Sequence, residues 1–96
     1  MLVWVMYDVS DPRRLNRMAK ICLRSGVYRV QKSVYLGKLT NSQIDALRLE
    51  LEATMNKKED SVYLFPMAAD SFDKGNILGL AFDRAMVSDQ IRELFL

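Results

Sequence analysis

Asp8 is the residue of this 96-residue sequence whose position most clearly suggests chemistry. It follows the run of residues 2–7, which is apolar and rich in β-branched and aromatic side chains, as a buried strand would be. A carboxylate at the end of a buried strand is costly to desolvate unless a cation or several donors compensate it. Because an arginine-rich helix is predicted to follow, an acid facing a basic helix predicts a site for a divalent metal and a phosphate. The same residues fit equally a carboxylate that caps the helix or pairs with an arginine.

A row of cations lies on the predicted helix of residues 13–24. Spacings of four, three and four residues place its members on one helical face, here called the basic stripe: Arg13, Arg17, Lys20 and Arg24. Arg14 adds a cation beside the stripe, and no acid lies within it. The stripe predicts contacts with nucleic-acid phosphates, although a merely solvated helix face would carry the same residues.

The charge of the sequence is unevenly distributed. Residues 1–39 carry eight Lys and Arg against two Asp, a net charge of +6. Residues 40–96 carry six Lys and Arg against ten Asp and Glu, a net charge of −4. A basic half joined to an acidic half predicts one face for a polyanion. No aromatic platform accompanies the basic region, so we expect binding that is independent of base sequence.

Histidine is absent from the sequence, which excludes histidine general bases and imidazole metal ligands. Any metal would therefore be held by oxygen, which suits Mg or Mn rather than Zn. Cys22 is the only cysteine, so no intrachain disulfide can form. With no signal peptide and no apolar run near the roughly 18 residues of a membrane helix, we expect a cytoplasmic protein without a membrane partner.

The predicted first helix has well-marked ends. Asp11 can cap its amino terminus, Pro12 suits its first position, and Gly26 suits the position after its last residue. Its apolar residues recur at the spacing of a buried stripe: Leu15, Met18, Ala19, Cys22 and Leu23. We therefore expect these residues to face the core and the basic stripe to face solvent.

The following segments predict three further strands and a second helix. Residues 27–30 and 33–39 predict strands joined tightly around Gln31 and Lys32, although no glycine or asparagine marks the turn. The segment Thr40-Asn41-Ser42-Gln43 is a capping box that opens a helix reaching Met55. Its core-facing stripe is Ile44, Leu47, Leu51 and Met55. Residues 61–67 predict the last core strand.

The resulting order, β-α-β-β-α-β, is that of a ferredoxin-like α+β fold. It predicts one domain with its core in residues 1–67, both helices on one face of an antiparallel sheet, and the first and third strands in the centre. Residues 76–82 predict an extra edge strand, and residues 88–95 a short helix. An uncovered sheet face and an apolar C-terminal segment predict a homodimer with which residues 76–96 associate.

Three motifs at consistent spacing resemble the CRISPR-associated protein two family, the small subunit of the spacer-acquisition machinery. The first is Tyr7-Asp8-Val9-Ser10-Asp11, followed by arginines, a helix and Gly26. The others are Arg29-Val30-Gln31-Lys32-Ser33-Val34-Tyr35 and Asp60-Ser61-Val62. The resemblance extends from residue 2 to about residue 67.

The resemblance implies ferredoxin-like homodimers whose sheets pack face to face and whose C-terminal strands cross to the partner. It implies that the Asp8 carboxylates of the two subunits share a Mg or Mn ion, with Arg17 and Arg29 as further catalytic residues. The site-flanking residues it implies are Tyr7, Ser10, Ser33 and Tyr35. The nucleic-acid-binding residues expected from the basic helix are Arg13, Arg14, Arg17, Lys20 and Arg24.

Two functions follow from this resemblance. One is a metal-dependent endonuclease that cleaves RNA or duplex DNA, in which Arg17 and Arg29 stabilise developing charge. The other, which we favour, is a non-catalytic scaffold that binds double-stranded DNA together with the CRISPR integrase. Leu36 departs from the family pattern, since many members carry an acid there, and this weakens the case for catalysis. A toxin-type ribonuclease of the same fold and, less readily, a small-ligand regulatory module are the alternatives.

Overall fold

The computed structural model of the protein describes residues 1–76 and residue 78. The helix predicted for residues 88–95 and nearly all of the strand predicted for residues 76–82 lie outside the described residues. Within them, the first six elements follow the predicted order: β1 (Leu2–Asp8), α1 (Pro12–Ser25), β2 (Tyr28–Gln31), β3 (Val34–Lys38), α2 (Asn41–Thr54) and β4 (Ser61–Met67). A five-residue helix, α3 (Ala69–Asp73), follows and is too short for its apolar spacing to have predicted it.

The strands form one antiparallel sheet in the order β2-β3-β1-β4. The first and third strands are therefore central, as predicted. In the register of the sheet, Val5 of β1 lies opposite Tyr35 of β3 on one side and Leu64 of β4 on the other. With α1 and α2 packed on one face, the fold is ferredoxin-like, which confirms the prediction.

The main core lies between the sheet and the two long helices, on what is here called the helix-covered face. Alternate residues of β1 point into it, namely Val3, Val5 and Tyr7. The helices contribute Met18, Ile21 and Cys22 from α1 and Ile44, Leu47 and Leu51 from α2. The three α2 residues were predicted to be buried, and Met55 packs against the same core while remaining partly exposed.

The buried face of α1 differs from the predicted one at two positions. Leu23 was expected in the core but is 53% exposed, whereas Ile21 is 7% exposed. The helix packs against α2 as well as against the sheet. Because successive residues are about 100° apart around a helix, contact with α2 buries the side that carries Ile21 and leaves the Leu23 side outside.

The local signals at the helix ends are confirmed. Asp11 accepts a hydrogen bond from the backbone N–H of Arg14 at 2.9 Å, and Pro12 begins α1. Gly26 ends it in the left-handed region, with a φ of 95°. At α2, the side chains of Thr40 and Gln43 form both hydrogen bonds of the predicted capping box. These ends orient both helices over the sheet.

The turn between β2 and β3 lies one residue later than predicted. Gln31 still pairs with Val34, so Lys32 and Ser33 form the turn. Ser33 has a φ of 65° and is the only non-glycine residue with a positive φ among those described. Glycine or asparagine usually occupies such a position. Because a serine occupies it here, the sequence of the turn carries no glycine or asparagine signal.

The opposite side of the sheet, here called the open face, carries the other set of alternate strand residues. Trp4 and Met6 of β1 lie beside Phe65 and Tyr63 of β4. Tyr63 and Phe65 stack with ring centroids 6.3 Å apart and are 49% and 50% exposed. Phe72 of α3 packs on Trp4, with ring centroids 5.9 Å apart. Among the described residues, α3 is the only helix that contributes to this face. Val30 and Leu36 are buried there beside Trp4 and Phe72, whereas the two stacked rings of β4 stay about half exposed.

Candidate functional site

Asp8 belongs to the open face. It is the last residue of β1, opposite Ser61, and has the same alternation as Trp4 and Met6. The basic helix α1 packs on the other face against Tyr7, so the expectation that Asp8 faces this helix is corrected. Both faces of β1 are apolar, so the sequence pattern could not tell which of them the helices cover.

Within the described residues, neither structural alternative for Asp8 applies. The helix cap is Asp11, and Arg14 in the first turn of the helix pairs with Asp60 rather than with Asp8. Asp8 is exposed, and its carboxylate has no ion pair or side-chain hydrogen bond with any described residue. A free carboxylate suits a hard cation such as Mg or Mn. However, the described residues include no group of three Asp, Glu, Cys or His that could hold a metal, so further oxygen ligands must come from elsewhere.

Arg29, Tyr35 and Tyr7 form a hydrogen-bonded network on the helix-covered face. The Nε and Nη2 groups of Arg29 donate to the Tyr35 hydroxyl oxygen at 3.1 and 2.7 Å. That oxygen lies 2.9 Å from the hydroxyl oxygen of Tyr7. Three residues predicted to belong to one site, two flanking and one catalytic, are therefore brought together, but on the other side of the sheet from Asp8.

The electrostatics of this network keep a positive charge in place. Tyr35 has no exposed surface and Tyr7 is buried. Burial, with the hydrogen bond to Tyr35 acting in the same direction, raises the pKa of Tyr7 well above its usual range. The hydrogen bond to Tyr35 likewise raises the pKa of Arg29. The phenol of Tyr7 therefore stays protonated and the guanidinium stays charged throughout the physiological range.

Ser33 lies next to this network, and Ser10 does not. The backbone N–H of Tyr7 donates to the carbonyl oxygen of Ser33 at 3.1 Å, which attaches the β2–β3 turn to β1. Tyr7, Arg29 and Ser33 line a common pocket beside α1. Ser10 is exposed in the connection between β1 and α1. The pocket also includes Asn16 and Lys32, which the sequence analysis missed because neither belongs to the basic stripe.

Arg14 is part of a structural ion pair rather than an open cationic surface. Its Nε donates to Asp60 at 2.8 Å and its Nη2 to Glu59 at 3.0 Å. The Asp60 side chain is 0% exposed and also accepts from the backbone N–H of Asn56 at 2.8 Å. The hydrogen bond from Arg14 lowers the pKa of Asp60. This contribution to stability is present above the ordinary pKa of an aspartate and is lost as the pH falls through the lowered value.

The four members of the basic stripe are exposed, as predicted. Arg24 donates to Glu50 of α2 at 2.6 Å, in a pair whose side chains are 67% and 47% exposed. Arg13, Arg17 and Lys20 form no ion pair with any described residue. The acid that pairs with the stripe therefore belongs to the neighbouring helix α2. The spacing of residues within α1 could not have predicted this pair.

Comparison with known proteins identifies the family. The family model of CRISPR associated protein Cas2 matches residues 1–74. This chain belongs to the Cas2 family. The resemblance seen in the sequence motifs is thereby confirmed. No helix of the described residues is long and apolar enough to cross a membrane.

Individual Cas2 proteins resemble the chain over most of its length. It is 32% identical over 80 residues to the CRISPR-associated endoribonuclease Cas2 of Dictyoglomus turgidum, covering 83% of this chain and 90% of that protein. It is 34% identical over 70 residues to the CRISPR-associated endonuclease Cas2 of Halalkalibacterium halodurans, covering 68% and 72%. The crystal structure of Streptococcus pyogenes Cas2 at pH 6.5 superposes with a TM-score of 0.69 at 30% identity, covering 82% of this chain and all of that one.

Proposed function

We propose that this Cas2 protein acts in CRISPR adaptation as a homodimeric scaffold that holds double-stranded DNA for the CRISPR integrase. The observation that carries the proposal is the basic stripe. Three of its cations, Arg13, Arg17 and Lys20, are exposed and unpaired within the described chain. They project from a rigid helix on the outside of the fold, where they can each neutralise a backbone phosphate.

The proposed binding is independent of base sequence. Long cationic side chains on one helical face contact phosphates, which carry no sequence information. The exposed aromatic residues Tyr63 and Phe65 lie on the open face, across the sheet from α1. No stacking platform therefore accompanies the stripe in the described part of the protein, and base recognition is not expected.

The proposed dimer forms through the open face. The β4 edge of this face carries two stacked aromatic rings that are each about half exposed. A patch of this kind favours burial against a partner. A second copy offers the same patch, and a twofold contact would place both Asp8 residues on the covered side. We further propose that residues 76–96 take part in the dimer contact and that the dimer binds the integrase.

Metal-dependent cleavage of RNA or DNA is the second candidate function. Its support is the Asp8 carboxylate, which is exposed and has no partner among the described residues, together with the relatives named endoribonuclease and endonuclease. Two such carboxylates in a dimer would hold Mg or Mn, which lowers the pKa of a bound water and polarises a phosphate. Leu36, where many family members carry an acid, is fully buried among apolar residues and supplies no ligand. We therefore place the scaffold first.

The roles proposed for Arg17 and Arg29 differ. Arg17 belongs to the exposed stripe, where it can bind nucleic acid. Arg29 donates hydrogen bonds to Tyr35 on the helix-covered face, so it lies on the opposite face of the sheet from Asp8 of the same chain. A direct part for Arg29 in chemistry at Asp8 has less support than binding of nucleic acid at a site of its own.

The scaffold proposal is tested by measuring duplex DNA affinity against salt concentration. Replacing Arg13, Lys20 and Arg24 with Gln should weaken binding to all sequences alike and reduce the slope of log affinity against log salt by about 0.9 for each phosphate that is no longer neutralised. Lys38, Lys57 and Lys58, replaced together by Gln, form the control, because they remove the same charge from exposed positions outside α1. If both triple variants weaken duplex binding equally, the stripe contributes no more than any other exposed charge, and the proposal is contradicted.

A further inference from the structure

A pocket of about 150 Å³ lies between α1 and the turn that joins β2 to β3. Five of its lining residues are polar or charged: Tyr7, Asn16, Arg29, Lys32 and Ser33. The rest of the lining is apolar and belongs to α1. Among the described residues, no Asp or Glu lines this pocket, so its charged groups are all cations. A cavity with this lining favours an anion.

Arg29 is fixed at the pocket by hydrogen bonds that use only some of its N–H donors. A guanidinium carries five N–H donors, and the two that bond to Tyr35 belong to Nε and Nη2. The remaining donors take no part in these two bonds. The guanidinium also lies over the Tyr35 ring, 5.4 Å from its centroid. Because its position is already fixed by a fully buried residue, little entropy would be lost when it binds a ligand.

The Tyr7 hydroxyl adds a further polar group at the pocket. Its oxygen lies 2.9 Å from the Tyr35 hydroxyl oxygen, and either hydroxyl can be the donor of this hydrogen bond. Tyr7 is buried and lines the pocket together with Arg29. The buried Tyr35 hydroxyl therefore holds two pocket-lining residues in place.

We propose that this pocket binds a phosphate group, carried by a nucleic acid or by a free nucleotide or phosphate ion. The tetrahedral acceptor oxygens of phosphate match a guanidinium fork, an ammonium group and hydroxyl and amide donors. Since a water molecule takes about 30 Å³ of liquid volume, the pocket has room for a phosphate and some water. This site is separate from Asp8 and from the basic stripe, and it does not depend on the scaffold function.

The test is a titration of the isotopically labelled full-length protein with sodium phosphate at constant ionic strength, followed by nuclear magnetic resonance. Saturable shifts are expected for the Asn16 side-chain amide, the Arg29 Nε–H and the Ser33 backbone N–H. Lys32→Gln should weaken the affinity about two- to fivefold, as for an exposed ion pair. The matched control is Lys58→Gln, which removes the same charge from an exposed loop position and should leave the affinity unchanged.

A second variant separates pocket binding from general charge. Asn16→Ala keeps the net charge and alters an exposed residue, so the protein should fold normally and still bind phosphate more weakly. Arg29 is not replaced in this test because it also satisfies the buried Tyr35 hydroxyl. Absence of saturable shifts at the pocket, or equal losses in Lys32→Gln and Lys58→Gln, would overturn the proposal.

Oligonucleotides with either a 5′-phosphate or a 5′-hydroxyl identify the source of the phosphate. Pocket shifts that require the 5′-phosphate indicate a strand end, and equal shifts indicate backbone phosphates. Shifts seen only with phosphate ion or a mononucleotide indicate a free small ligand. Each of these outcomes supports the pocket, and its success or failure is independent of whether the basic stripe variants bind duplex DNA.

Discussion

The two faces of the central sheet differ in what covers them and in the chemistry they carry. On the helix-covered face, Val3, Val5 and Tyr7 are at most 6% exposed, and the cation Arg29 is fixed by hydrogen bonds. On the open face, Tyr63 and Phe65 are about half exposed, and the Asp8 carboxylate is unpaired within the described chain. One face is completed by the chain itself, whereas the other is suited to a second molecule.

This contrast divides what the sequence suggested was a single site. Adjacent residues of a strand point to opposite faces, so Tyr7 and Asp8 are neighbours in sequence but belong to different surfaces. The hydrogen-bonded network with its phosphate-sized pocket occupies one surface, and the candidate metal ligand occupies the other. The proposed anion site and the proposed cation site therefore lie on opposite faces of the sheet.

The largest expected effect concerns the open face. Asp8→Asn should abolish any Mg- or Mn-dependent cleavage of RNA or DNA, because the amide keeps the shape but removes the charge of the ligand. Stability should be unchanged, since the carboxylate has no described partner. Cleavage assays with labelled substrates and urea unfolding measure both, with Asp45→Asn of α2 as the control. A variant that cleaves at the wild-type rate would place the metal elsewhere, and a wild type that does not cleave would leave only the scaffold.

The helix-covered face should dominate the stability of the fold. Leu47→Ala, at a residue that is 1% exposed, should lower the free energy of unfolding by about 2–5 kcal/mol through reduced burial and a residual cavity. Leu49→Ala on the same helix, where the leucine is 56% exposed, should change it by less than about 0.5 kcal/mol. Urea denaturation checks both, and similar losses would mean that the two faces of α2 are not distinguished by packing.

The open face should matter for association instead. Replacing both Tyr63 and Phe65 with Glu should raise the dimer dissociation constant at least about thirtyfold, which corresponds to about 2 kcal/mol. Leu23→Glu is the control, because this leucine is 53% exposed on α1 and lies away from the open face. Sedimentation equilibrium measures the constants. A wild type that is monomeric at micromolar concentration would contradict the dimer proposal.

The smallest expected effect is at the ion pair between the basic stripe and α2. Glu50→Gln should cost at most about 1 kcal/mol of stability, because the pair with Arg24 is largely exposed. It should also free Arg24 for phosphate and strengthen duplex binding slightly, more at low salt than at high salt. Asp45→Asn removes the same charge from an exposed position of the same helix that forms no ion pair with any described residue. A gain from Asp45→Asn as large as that from Glu50→Gln would show that Arg24 does not bind DNA.

Much of the fold could be predicted from the sequence because its signals are local. Asp11, Pro12 and Gly26 mark the ends of α1, and Thr40 with Gln43 marks the start of α2, since each satisfies backbone groups within its own helical turn. The order of these elements is compatible with few topologies, and the ferredoxin-like arrangement is one of them. The three motifs that contain Asp8, Arg29 and Asp60 together indicated the Cas2 family.

Long-range packing decided the remaining features. Contact with α2 buries Ile21 rather than Leu23, and the residues that form the Arg14–Asp60 ion pair lie 46 positions apart in sequence. The direction of Asp8 was hidden because β1 is apolar on both faces and therefore lacks the alternation that would reveal its covered side. Composition and spacing thus determined which elements form, whereas packing between distant segments determined which charges are neutralised, which remain free and which face each one serves.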